Sequence, residues 1–182
     1  YLIDPYDITN FNRNKEDMEL LAVLCCCVAG KTARIMAKMV ENFFLYSNET
    51  GTPFEQIIKM HNKGTLKEKL MRAKTGKYDL LTKGLYMLAS NNINLYQCSS
   101  EDLEKIPGIG MKTSRFFILH SRKDANIAVI DTHLLKYLRH MNVSNVPDTI
   151  PKGKEYLRLE KIILEEAKRL TMTPQELDLK TW

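Results

Sequence analysis

Apolar residues recur at three- and four-residue intervals along nearly the whole chain, and no stretch keeps the two-residue alternation of a strand, so the pattern predicts an all-α protein. Asn14 stands where a cap belongs, ahead of a helix through Ala29 with Leu20, Leu21, Leu24 and Val28 inward. Gly30 interrupts, and the pattern resumes from Lys31 to Leu45 with Ile35, Met39 and Phe43 on one face. Thr52-Pro53-Phe54-Glu55 and Thr173-Pro174-Gln175-Glu176 each read as a capping box with proline at the first helical position. Further helices fall at about 66–73, 79–90, 99–106, 112–121, 132–141 and 153–170. There is no internal repeat and no low-complexity stretch.

A length of 182 residues with 44% hydrophobic residues suits one compact unit or two small lobes. The formal net charge of +5 favours an anionic partner, and its distribution matters more than its size. Between Lys63 and Lys83 the bases Lys63, Lys67, Lys69, Arg72, Lys74, Lys77 and Lys83 face only Glu68 and Asp79, a balance equal to the charge of the whole chain. Such a run is most often a solvated face, but here it flanks the loop Lys74-Thr75-Gly76-Lys77-Tyr78. The first thirty residues are acidic. Tyr1 to Arg13 is polar without a secretory core, and no apolar run approaches a membrane span, so an intracellular monomer in cytoplasm or nucleoid is expected, with no membrane partner. The start at Tyr1 leaves room for an initiator or short leader ahead of it.

The four cysteines are Cys25, Cys26, Cys27 and Cys98. Three in a row point in three directions on a helix and match no metal spacing, so they read as small core residues in a reducing compartment. His61, His120, His133 and His140 share no ligand spacing either, and no metal site is expected.

The most informative window runs from residue 99 to 133. Ser99, with Asp102 three residues on, caps a short helix whose Leu103 and Ile106 point inward. Pro107-Gly108-Ile109-Gly110 then turns the chain into a second helix starting near Met111. Two glycines let the backbone turn tightly with bare N–H groups outward at a helix N-terminus, an arrangement that binds phosphate. Lys112, Thr113 and Ser114 follow, and after an apolar stretch come Ala128-Val129-Ile130-Asp131-Thr132-His133. An amine can act as a nucleophile and form a Schiff base with a carbonyl carbon, and a carboxylate can stabilise a nearby cation. The bland alternatives are a lysine that only neutralises a phosphate and an aspartate that is only an N-cap. The two roles of Asp131 are compatible, since one oxygen can cap while the other faces a site.

The order Leu103, Ile106, Pro107, Gly108, Ile109, Gly110, Lys112, Thr113, Ser114, then Val129, Asp131, Thr132, His133 resembles the helix-hairpin-helix DNA glycosylase superfamily, whose members include endonuclease III and the 8-oxoguanine DNA glycosylases. The resemblance implies that Lys112 is the nucleophile and Asp131, nineteen residues on, its catalytic partner. It implies that Gly108, Gly110, Met111 and Thr113 meet DNA at the hairpin, and that Lys74 and Lys77 lie along the minor groove. It also implies a two-lobed helical architecture with the site between the lobes: 31–130 as the central barrel carrying the hairpin, and 1–30 with 131–182 as the second lobe. Endonuclease III carries a four-cysteine iron–sulfur loop after the aspartate. No cysteine follows Cys98 here, so a cluster-free branch without a cofactor is expected, a monovalent cation on the hairpin carbonyls being the one ion the reading allows.

Leu177-Asp178-Leu179-Lys180-Thr181-Trp182 looks similar to the C-terminus of small archaeal-type 8-oxoguanine DNA glycosylase/lyases, which implies a base-pocket role for Trp182, although a terminal Trp is otherwise usually a packing residue. Where relatives carry a gap-filling glutamine this chain has Ala29-Gly30-Lys31, which leaves Lys31 at that place. The expected function is base excision of a damaged base, 8-oxoguanine first, from double-stranded DNA, with β-elimination through a lysine Schiff base. Thr132 after Asp131 is similar to endonuclease III, which keeps oxidised pyrimidines open as substrates. A monofunctional glycosylase using Asp131 to activate water, and a non-catalytic hairpin DNA-binding module, also stay open.

Overall fold

A computed structural model describes residues 2–28 and 32–181, so the expectations for Lys31 and Trp182 lie outside the described residues. Within them the chain forms α1 (Lys15–Cys27), α2 (Ala33–Ser47), α3 (Pro53–Asn62), α4 (Leu66–Arg72), α5 (Tyr78–Ser90), α6 (Ser100–Glu104), α7 (Met111–Ser121), α8 (Thr132–His140), α9 (Gly153–Arg169) and α10 (Pro174–Thr181). No strand occurs among the described residues, and no helix there is long and apolar enough to cross a membrane. The local signals act as the sequence predicts. The Asn14 side chain accepts from Asp17 N–H, and the boxes at Thr52/Glu55 and Thr173/Glu176 are both closed.

Two apolar cores organise these helices. The first draws on α1 to α7, from Ile3 to Ile118; the second gathers Ala128, Ile130, α8, α9 and Leu177 of α10. α1 is the axis of the first core, since from Met18 to Cys27 every residue except Leu20 is fully buried. All four cysteines are free and buried, and burial pushes the Cys25 and Cys26 thiols well above their ordinary pKa.

One expectation needs correction. On α2 the inward stripe is Met36, Ala37, Val40 and Phe43, whereas Ile35 is 49% exposed and Met39 only half-buried. Positions i, i+1, i+4 and i+7 form a continuous ridge, and the expected stripe lies at its margin. Ile3 and α1 pack in the first core with residues of α2 to α7. A helix buried on nearly every side needs neighbours all round, and α2, α3, α5 and α7 provide them. The chain ends do meet at one point. His120 on α7 contacts Thr9 Oγ1 through Nδ1 at 2.7 Å and Asp178 of α10 through Nε2 at 3.2 Å.

The hairpin between α6 and α7 rests on α5. Gly84 of α5 lies so close to the hairpin that a Cβ there would run into the Pro107 carbonyl oxygen, and Leu80, one turn earlier, lies beneath Gly108. Backbone oxygen cannot swing aside as a flexible side chain can. Gly84→Ala should therefore destabilise the protein by about 1–3 kcal/mol through overpacking, despite the better helix propensity of alanine. Chemical denaturation checks this; a stability gain would show that α5 and the hairpin are not in tight contact.

Candidate active site

The hairpin is pinned from inside and open outside. Leu103, Ile106 and Ile109 are buried, Ile106 N–H donates to Leu103 O at 3.0 Å, and Ile109 N–H donates to Ile106 O at 3.0 Å. Gly108 is exposed with φ of +90°, a conformation that calls for glycine. Gly110 is the N-cap of α7 with φ of −102°, and a Cβ there would meet nothing within 4 Å. Nothing inside the protein asks for glycine at 110. Without a capping side chain, the first amides of α7 at Met111, Lys112 and Thr113 face outward at the positive end of the helix.

Lys112 is the second residue of α7 and half-buried, and among the described residues no hydrogen bond or ion pair engages its amine. Asp131 is the N-cap of α8 and only 4% exposed. Its Oδ1 accepts from His133 N–H at 2.8 Å and Leu134 N–H at 2.9 Å, while among the described residues nothing donates to Oδ2. The two groups expected to do chemistry thus each sit at a helix N-terminus, one amine and one carboxylate oxygen unspent. No ion pair within 4 Å joins them in the protein alone. Met111, at the start of the same helix, reaches across to the second core, where its side chain packs and its Sδ accepts from Gly153 N–H at 3.1 Å.

Lys74 and Lys77 are both exposed, with φ of 59° and 46°, on either side of buried Thr75 and of Gly76. Thr75 anchors the loop, its Oγ1 donating to Leu70 O at 3.2 Å. Left-handed backbone at two lysines is uncommon and marks a constrained loop. The loop leads directly into α5, three residues from Leu80 beneath Gly108, so α5 brings Lys77 and the hairpin to one end of the molecule. The basic run around it is less free than its composition suggests: Lys63 pairs with Glu49 and Lys67 with Asp79, both at 2.7 Å, and the Arg72 guanidinium lies over the Tyr46 ring.

Several buried polar residues behind the site escaped the sequence reading. Arg115 of α7 donates from Nη1 to Glu104 Oε1 at 2.7 Å and from Nε to Glu160 Oε1 at 2.9 Å, and Ser114 Oγ donates to the same Glu104 oxygen at 2.8 Å. Burial alone would lower the Arg115 pKa, but Glu160 and Glu104 outweigh it and hold the guanidinium above its ordinary value. A signal for this existed. Glu160 falls on the inward stripe of α9 with Tyr156, Leu159, Ile163 and Ala167, where a carboxylate needs a buried partner.

The architecture and the site define a helical helix-hairpin-helix protein with a lysine and an aspartate at the starts of two consecutive helices. The model of the 8-oxoguanine DNA glycosylase family matches residues 3–172, and the chain belongs to that family. A relative, the 8-oxoguanine DNA glycosylase/AP lyase of Methanocaldococcus jannaschii, is 32% identical over 81 residues, which is 44% of this chain and 38% of that protein, so the aligned part spans well under half of the relative. The crystal structure of the M. jannaschii 8-oxoguanine glycosylase/lyase in complex with 15mer DNA containing 8-oxoguanine superimposes with a TM-score of 0.67 at 21% identity, covering 98% of this chain and 85% of that one. The 8-oxoguanine DNA glycosylase of Thermotoga maritima gives 0.69 at 20% identity, covering 98% and 85%. These likenesses establish the fold.

The capping role of Asp131 has a measurable consequence. Asp131→Ala should cost about 0.5–2 kcal/mol of stability, and Asp131→Asn clearly less, because asparagine also caps. Equal losses in denaturant titrations of the two variants would mean that the cap contributes little.

Proposed function

We propose that this protein is a base-excision DNA glycosylase with AP lyase activity that removes 8-oxoguanine from double-stranded DNA through a Schiff base on Lys112. Two features support the reading: an unengaged amine at the start of α7, which has no capping side chain, and a buried carboxylate at the start of α8 that keeps one oxygen unspent. Family membership and the names of the relatives supply the base.

In this reading the hairpin amides and the Lys74–Lys77 loop hold phosphates, and the damaged nucleotide leaves the stack to reach the site. Asp131 Oδ2 stabilises positive charge as the C1′–N bond to the base breaks and the base departs, and the Lys112 nitrogen forms the bond to C1′. Opening of the sugar ring turns the adduct into an imine. Loss of a proton from C2′ then expels the 3′-phosphate, and water releases the lysine. Amine and carboxylate suffice, with no metal or iron–sulfur cluster, and one protein molecule carries the whole site.

Borohydride reduction tests the scheme, because only an imine is trapped. Wild-type protein should give a covalent complex with a duplex containing 8-oxoguanine. Lys112→Gln should give none while keeping its affinity for that duplex, and Asp131→Asn should slow base release by about a hundredfold or more. Base release without a trapped complex would make the protein a monofunctional glycosylase; the absence of both base release and trapping would overturn the enzymatic reading.

The hairpin makes a separate expectation. Gly110→Ser supplies a good N-cap, so stability should hold or rise, yet its side chain occupies the space where a phosphate would approach. Affinity for duplex DNA should fall several-fold in the same variant. Unchanged affinity in a fluorescence titration would place the phosphate contact elsewhere.

A further inference from the structure

Arg115, Glu160 and Tyr156 connect the helix that carries Lys112 to the segment that carries Asp131, and we propose that they are the positioning residues that set these two groups against each other. The inference rests on the glycosylase/lyase reading above. Arg115 lies one turn beyond Lys112 on α7, and its Nε donates to Glu160 Oε1 at 2.9 Å. The same carboxylate oxygen accepts from Ala128 N–H at 3.0 Å. Tyr156, one turn earlier on α9, completes the hold: its hydroxyl donates to Ala128 O at 3.1 Å and accepts from Ile130 N–H at 2.9 Å.

The segment from residue 122 to Asp131 has no helix or sheet to satisfy its backbone. Three buried backbone groups immediately before Asp131 are satisfied instead by two side chains of α9. Phenylalanine would fill the second core as well as Tyr156 does, so the hydroxyl serves the segment rather than the packing. Glu160 likewise occupies an apolar stripe where leucine would suit the core better. Both polar groups hold Ala128 and Ile130, in the segment that fixes where Asp131 begins α8. A shift of about 1 Å in a reacting group costs on the order of a hundredfold in rate.

The test compares wild type with Tyr156→Phe and Glu160→Gln in three measurements: single-turnover release of 8-oxoguanine, affinity for the same duplex, and borohydride trapping on a duplex with a preformed abasic site. Trapping at the abasic site bypasses glycosidic cleavage, the step that needs Asp131 most. Base release should fall about tenfold to a hundredfold in both variants, with affinity nearly unchanged and abasic-site trapping reduced much less. A merely structural role would lower both steps in proportion to the folded fraction. Unchanged release, or equal losses in release and trapping, overturns the proposal. Should Glu160→Gln fail to fold, Arg115→Lys keeps the charge, loses the forked geometry and should show the same selective loss. If wild type neither releases the base nor traps, the glycosylase reading falls and this inference with it; an active wild type with unaffected variants overturns the positioning role alone.

Discussion

The two halves of this protein are joined through a charge that has been taken out of water. Arg115 is buried on α7, and such a group is tolerable only when its donors are met by carboxylates. Glu104 of α6 takes one donor and Glu160 of α9 another, so a single guanidinium ties the first helix of the hairpin, the helix that follows it and the main helix of the second core. Removing one partner from a buried cluster of this kind costs about 3–5 kcal/mol, whereas an apolar replacement of the whole set is often neutral. Stability alone does not call for these charges. What they provide is direction: they fix α7 against both of its neighbours at once.

α7 is therefore the element on which the site depends. Its buried Phe117 and Ile118 belong to the first core, its Met111 packs on the second, and His120 near its far end meets Thr9 and Asp178 of α10. Its start is left uncapped, which forgoes the stabilisation of a capping side chain and exposes amides to an anion. The close approach of Gly84 to Pro107 holds that open end against α5, next to the loop of Lys74 and Lys77. The polar groups left unsatisfied at the site are thus framed by tightly packed backbone.

Much of this was legible in the chain because it is local. Caps at Asn14, Thr52, Ser99 and Thr173 mark helix starts through contacts within three residues, and the hairpin is written in consecutive positions. Lys112 and Asp131 could be placed at helix starts for the same reason. Long-range choices were not legible. α1 is apolar on nearly every side, so its periodicity carries no direction and gives no hint of which lobe it joins. On α2, two overlapping apolar stripes compete, and the packing of α1, α3 and α4 decides between them. The linkage of Arg115, Glu160 and Tyr156 to residues 128–130 spans up to 45 positions, beyond any local pattern, although a glutamate on an apolar stripe was a visible sign that something buried must answer it.

The central claim is that the amine of one residue, Lys112, forms the bond to the sugar. It is tested most directly by reducing the complex with a damaged duplex, digesting protein and DNA, and locating the modified residue by mass spectrometry. The sugar remnant should sit on the peptide that carries Lys112. A remnant on any other amine of the chain would contradict the claim.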